Sequence, residues 1–208
     1  KRERLPNILL ITVDDLGWAD LGCFGADLHE TPNIDAFAAT GQKFTQAYAA
    51  AAICTPTRAA LLTGKSPARL NMTIWREAAI NNQFTQKLIP PDVSANLPLS
   101  EITIAEALKA EGYVTAHLGK WHVGDGEHFP ETQGFDINIG ATVWGAPPTF
   151  FFPYRGEIYN SMRFVPGLER DVNGRYNAAR DGEYLTDRLT DEAISIMEQF
   201  EHKPFFIN

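Results

Sequence analysis

The sequence is short of cysteine, short of positive charge, and without any long apolar run. Its 208 residues hold two cysteines, Cys23 and Cys54, far too few for a disulfide scaffold. If Cys54 has a chemical task, Cys23 has no partner within the chain. Eighteen Lys and Arg stand against 26 Asp and Glu, a formal net charge of −8. That excludes nucleic acid as the main partner, because phosphate backbones are met by basic surfaces. A small anionic substrate stays possible, since a local basic pocket can sit on an acidic protein. No apolar stretch approaches the roughly 18 residues that a membrane span needs. Lys1-Arg2-Glu3-Arg4-Leu5-Pro6 has no apolar signal core behind it, so the chain is either cytoplasmic or an exported one whose signal was removed.

What is present has the rhythm of an α/β protein. Ile8 to Val13 is an apolar run rich in branched residues, the pattern of a strand covered on both faces in a parallel sheet. Asp14 and Asp15 follow it, then a loop with Gly17, Gly22 and Gly25, and a short helix from Ile34 to about Thr40. Lys43 to Ala49 alternates loosely and reads as a second strand. Thr55-Pro56 opens a helix through Leu62 that Gly64 closes, with proline early and glycine at the stop. Asn71 to Pro98 is polar and without a period, a long loop. Thr103 and Glu106 make a capping-box pattern for a helix ending near Gly112. Tyr113 to Leu118 reads as a strand and leads into Gly119-Lys120-Trp121-His122. From Gly124 to Arg180 no regular structure is predicted. A helix from about Gly182 to Phe200 carries Leu185, Leu189, Ala193, Ile196 and Phe200 on one stripe, and Pro204 to Ile207 begins another strand. The expected fold is a mostly parallel central sheet flanked by helices. All 208 residues are expected to form the N-terminal part of a catalytic domain that continues past the last strand.

Sites in such sheets gather beyond the C-terminal ends of strands. Asp14-Asp15 and Lys120-Trp121-His122 both follow strands. Two neighbouring carboxylates can serve one ion only where the backbone turns; calcium suits them but needs more oxygen ligands than two. The plain alternative is a solvated strand end or a helix cap. Cys54-Thr55-Pro56-Thr57-Arg58 places a thiol just before a helix start, where unpaired N–H groups favour anions. Arg58, in the first turn, can fold back as a planar, bidentate cation. A phosphatase-type thiolate loop needs arginine six positions after the cysteine, and position 60 is Ala60. A buried structural cysteine is the remaining alternative. Lys120 and His122, one residue apart in an extended segment, face the same way, with Trp121 turned into packing. Trp75, Arg76, Trp144 and Arg155 lie in loops and are candidates to line a sugar-binding cleft. His29, His128 and His202 have no evident partner, and His117, inside an apolar strand, reads as structural.

Cys54-Thr55-Pro56-Thr57-Arg58-Ala59-Ala60-Leu61-Leu62-Thr63-Gly64 resembles the signature of the type I sulfatases of the alkaline phosphatase superfamily, C-x-P-S/T-R with a short helix ending in T-G. Pro6 to Gly17, Thr31-Pro32-Asn33-Ile34-Asp35 and Gly119-Lys120-Trp121-His122 are similar to further landmarks of that family, and the arylsulfatase and N-acetylgalactosamine-6-sulfatase branch looks nearest. The resemblance implies a sulfate-ester hydrolase acting on a sulfated carbohydrate or aryl sulfate. A maturation enzyme would oxidise Cys54 to formylglycine, whose hydrate attacks sulfur; the ester so formed collapses by elimination. Asp14, Asp15 and the modified residue 54 would ligate one calcium ion. Arg58 would hold the hydrate, and Lys120 and His122 the sulfate and the leaving side. The resemblance also implies export to the periplasm, the cell exterior or the lysosome. It places the remaining ligands beyond Asn208, so the 208-residue piece alone is expected to be inactive. The competing readings are a phosphodiesterase or phosphonate hydrolase of the same superfamily, and an inactive sulfatase-like binding module that keeps Cys54 as a thiol.

Overall fold

Two compact units make up the chain, Lys1–Leu10 with Ala50–Asn208, and Ile11–Ala49. The computed structural model describes residues 5–80, 87–88, 91–154 and 182–208. Among the described residues, the first unit is built on a four-stranded, wholly parallel sheet. Its strands are β1 (Ile8–Leu9), β2 (Val114–Leu118), β3 (Ile137–Ile139) and β4 (Phe205–Ile207), in the order β1-β4-β2-β3. The helices are α1 (Pro32–Thr40), α2 (Cys54–Thr63), α3 (Arg76–Ile80), α4 (Ile104–Ala110) and α5 (Leu185–Gln199), of which α1 belongs to the second unit.

Alternation along the strands explains why both faces are covered. On β4, Phe206 joins a core with Ala59 and Leu62 of α2, Ala105 of α4, Trp121, Val123 and Phe135. Its neighbours Phe205 and Ile207 point the other way, into a second core with Ala116 of β2 and with Leu185 and Ile196 of α5. A parallel strand sandwiched between helices needs apolar side chains on both faces, and Phe205-Phe206-Ile207, buried throughout, supplies them. The predicted stripe on α5 is confirmed at Leu185, Leu189, Ile196 and Phe200, which all contribute to this second core.

Local signals place the helix ends. Thr103 Oγ1 accepts from Glu106 N, and the Glu106 side chain accepts from Thr103 N, the reciprocal capping box predicted for α4. Gly64, at φ 68°, stops α2 in the left-handed conformation, its N–H donating to Ala60 O at 2.8 Å.

Several expectations fail in instructive ways. β1 stops at Leu9, with one further ladder bond from Leu10 N to Ile207 O. Lys43–Ala49 carries no strand in the described second unit. The loop expected from Asn71 to Pro98 contains α3, and the irregular stretch after Gly124 contains β3, paired with β2 from Ala116↔Ile137 to Leu118↔Ile139.

In the second unit, Thr31 and Asp35 clamp the turn Gly22–Phe24. Gly22 N donates to Thr31 Oγ1 (2.8 Å) and Cys23 N to Asp35 Oδ1 (2.7 Å). A Cβ on Gly22 would stand 2.3 Å from Asp35 Oδ2 and would displace the carboxylate that holds the turn.

Candidate active site

Cys54 is the first residue of α2 itself, one position later in the turn than the sequence suggested, with extended Ile53 as its cap (φ −139°, ψ 161°). Pro56 is therefore the third helical residue; its missing N–H still falls among the first four, which have no partner within a helix. Cys54 is half-buried, and Thr55 and Pro56 behind it are buried.

Thr55 ties three segments together. Fully buried, its hydroxyl donates to His122 O (2.8 Å) and accepts from Arg76 N (3.1 Å). One turn along α2, Arg58 Nη1 donates to Lys120 O at 2.5 Å. The start of α2 is thus fastened to both ends of the Lys120-Trp121-His122 segment that follows β2. Trp121 turns into the core as predicted, 1% exposed, its Nε1 donating to His128 O (2.8 Å).

His122 departs from the extended pair that was expected. At φ 60° it lies in the left-handed region, so simple alternation does not set its direction relative to Lys120. It is only 2% exposed, and its Nε2 stands 2.7 Å from Glu77 Oε2 on α3. Its Nδ1 is buried with no hydrogen-bond partner among the described residues. Gly145 lies against the ring: a Cβ there would be 2.7 Å from His122 Cε1 and 3.2 Å from Nδ1 and Nε2.

Burial pushes the His122 imidazole below its ordinary pKa; the Glu77 hydrogen bond and charge oppose this, while Lys120 and Arg58 reinforce it. For Glu77, burial works upward, but the hydrogen bond with His122 and those with the backbone of Glu77 and Gly145 bring the carboxyl below its ordinary value. A neutral imidazole beside an ionised carboxylate is the consistent state, and a carboxylate can only accept, so Nε2 carries the hydrogen. Arg58 and Lys120 both act electrostatically on His122, and Arg58 also on His117. A local positive cluster at the start of a helix is therefore present in a chain of net charge −8, an arrangement suited to an anion.

Of the weaker cleft candidates, Arg76 is engaged elsewhere. It is 5% exposed; its guanidinium pairs with Asp125 and donates to Asn96 Oδ1 (3.3 Å), and Asn96 donates in turn to Asp125 Oδ1 (3.1 Å). Trp75 (43% exposed) and Trp144 (38%) do present ring surface, and Arg155 lies outside the described residues. His128 and His202 both have partners, Leu97 O at 2.8 Å and Glu201 at 3.2 Å. His117 is buried, with Asn208 Nδ2 3.0 Å from its Nδ1. Asp14 and Asp15 lie in a turn of the second unit, with Asp15 at φ 58°; the backbone does turn at the carboxylates, as two adjacent ligands require. Among the described residues no group of three or more His, Cys, Asp or Glu side chains is arranged to hold a metal. Thr55, Glu77 and Gly145 escaped the sequence reading. Nothing about a glutamate in a polar loop signals a histidine 45 positions away.

The family model described as Sulfatase matches residues 6–208. The chain belongs to the sulfatase family. Within that family it is 38% identical over 210 residues to human N-acetylgalactosamine-6-sulfatase, covering 97% of this chain and 38% of that protein. It is 45% identical over 140 residues to human arylsulfatase A, covering 66% of this chain and 25% of that protein. The chain thus spans well under half the length of these sulfatases. The crystal structure of Ps i-CgsB in complex with k-i-k-neocarrahexaose superposes with a TM-score of 0.70 at 32% identity, over 97% of this chain and 44% of that one. The parallel sheet with helices on both faces is accordingly the sulfatase fold. None of the described helices is long and apolar enough to cross a membrane.

Proposed function

We propose that this chain is the nucleophile-bearing part of an enzyme that hydrolyses sulfate esters of a carbohydrate, with Cys54 as the precursor of its catalytic residue. The observation that carries the reading is Cys54 at the head of α2, with Arg58 of the same helix fastened to Lys120 O and both cations acting on His122. Sugars enter through the relatives: one is named for N-acetylgalactosamine 6-sulfate chemistry, and another holds a neocarrahexaose.

A maturation enzyme, drawing on an external two-electron oxidant, would convert the Cys54 –CH2SH to the aldehyde of formylglycine with release of its sulfur; the hydrated aldehyde would supply the hydroxyl that attacks sulfur, the sugar alcohol leaving. Asp14 and Asp15 offer hard carboxylate oxygens at a turn, the donor type calcium takes, and calcium would polarise the sulfate. The remaining work falls to this chain's own side chains. The unpaired N–H groups at the start of α2, the Arg58 guanidinium and the Lys120 ammonium hold the anion and offset the charge that builds on its oxygens. His122, neutral and with its Nε2 hydrogen committed to Glu77, has Nδ1 to accept a proton. Buried Thr55 and Trp121 keep these groups in place.

Intact-peptide mass spectrometry of the full-length protein tests the modification. A loss of about 18 Da on the Cys54 peptide is expected for thiol-to-aldehyde conversion, whereas only the thiol form favours a non-catalytic binding module. Rates on nitrophenyl sulfate and on nitrophenyl phosphate mono- and diesters test the reaction. The sulfate should be turned over fastest; a preferred phosphate would assign the site to the phosphodiesterase or phosphonate-hydrolase class.

A further inference from the structure

We infer that Glu77 is a positioning residue: by accepting the hydrogen on His122 Nε2, it fixes the imidazole in the tautomer and orientation that present Nδ1 as the working nitrogen. The inference deepens the sulfatase reading above and rests on it.

The ring is held at Nε2 and at Cε1. Glu77 Oε2 sits 2.7 Å from Nε2, and Gly145 has no room for a side chain over Cε1. The His122 backbone is held at φ 60° with its carbonyl on Thr55 Oγ1. The carboxylate is itself braced. Glu77 follows Arg76, whose N–H is bound by the same Thr55 hydroxyl and whose guanidinium is held by Asp125 and Asn96. One buried hydroxyl therefore registers α3, which carries Glu77, against the segment that carries His122. Which ring nitrogen bears the proton is set by the bond the other makes. A carboxylate on Nε2 leaves Nδ1, buried and with no hydrogen-bond partner among the described residues, as the nitrogen whose lone pair is unspent. The charged groups facing the ring are Glu77 from α3, Arg58 from α2 and Lys120 from its own segment; the segment bearing Gly145 contributes backbone. Glu77 is the single acidic group among them, opposing two cations.

The test uses the full-length, matured protein, with nitrophenyl sulfate as substrate and 15N-histidine NMR as a readout independent of turnover. Glu77→Ala removes the acceptor. kcat should fall roughly 10- to 100-fold, as expected when a proton-transfer group is misplaced, with KM changing less than about threefold. The His122 nitrogen resonances should lose the pattern of a single Nε2–H tautomer. Glu77→Gln keeps an acceptor but loses the charge. It should retain more activity than alanine and shift the acidic limb of the kcat/KM profile to lower pH, because the lost carboxylate was raising the affinity of His122 for a proton. Gly145→Ala should reproduce the kcat loss by displacing the ring. A merely structural role would lower stability while leaving the pH limb and the tautomer pattern in place. Should Glu77→Ala fail to fold, the Glu77→Gln profile and spectrum decide. Unchanged kcat, pH limb and His122 resonances would overturn the inference. Absence of turnover in the unaltered full-length protein would instead sink the sulfatase reading, with the NMR comparison still deciding on Glu77.

Discussion

Replacing Thr55 by valine tests the architecture of the site independently of its chemistry. Valine matches threonine in shape but lacks the hydroxyl, so it opens no cavity and removes two hydrogen bonds. In the structure that hydroxyl is 0% exposed and serves both His122 O and Arg76 N. Both groups would be stranded in a place water does not reach. At about 1–3 kcal/mol for each unmet buried polar group, and allowing for partial relaxation, the variant should lose about 2–4 kcal/mol of stability. Thr55→Ser supplies the comparison. It keeps both hydrogen bonds and gives up one methyl, a loss of about 1 kcal/mol. Urea unfolding read by linear extrapolation measures both, with an unchanged slope required for the comparison. The hydroxyl account demands that valine be the less stable of the two. A valine variant within about 0.5 kcal/mol of the unaltered protein, the range of an ordinary surface change, would refute it.

The charged and capped elements give further outcomes. His117 is buried, and burial first, then the Arg58 charge, depress its pKa from 6.5 to about 3. The folded state therefore binds fewer protons than the unfolded one between those values, so stability should fall as pH drops through this window and stay level above it. Thermal unfolding from pH 7 to pH 4 should show that slope, and His117→Gln should flatten it. Thr103→Ala should cost about 1–2 kcal/mol in thermal or urea unfolding, because it removes the α4 cap and also the bond from Thr103 Oγ1 to Gln133 O (2.7 Å). Arg58→Lys keeps the charge but loses the planar fork that reaches Lys120 O; kcat/KM on nitrophenyl sulfate should fall by on the order of 100-fold.

Elements specified by local chemistry were readable in advance, and elements specified by a distant partner were not. The α4 capping box is written in Thr103 and Glu106, three positions apart. The Gly64 stop and the α5 stripe are local in the same sense. By contrast, Ile137-Asn138-Ile139 is a strand because β2 lies beside it, and three residues carry no period of their own. Ile11 to Val13 continues the apolar run of β1 but carries no strand. The five residues of α3 lack a repeat long enough to read.

The candidate site divides along the same line. Cys54, Arg58, Lys120 and His122 stand in short contiguous motifs, and the structure joins them through Thr55 and Arg58. Arg76 was expected in a cleft because an arginine in a loop suits an anion; its pairing with Asp125, 49 positions on, is a tertiary fact. The partner of His122 was hidden for the same reason. Position 122 was expected to face the same way as 120, and its left-handed backbone was not foreseeable from a non-glycine residue.

The central claim is that the residue at position 54, at the start of the helix that carries Arg58, furnishes the group that attacks sulfur. Its most direct test is the sulfate-ester turnover of the full-length, matured protein with alanine at that position. The account predicts activity reduced to the uncatalysed background while the fold, followed by circular dichroism, is unchanged. Turnover at the rate of the unaltered protein would contradict it.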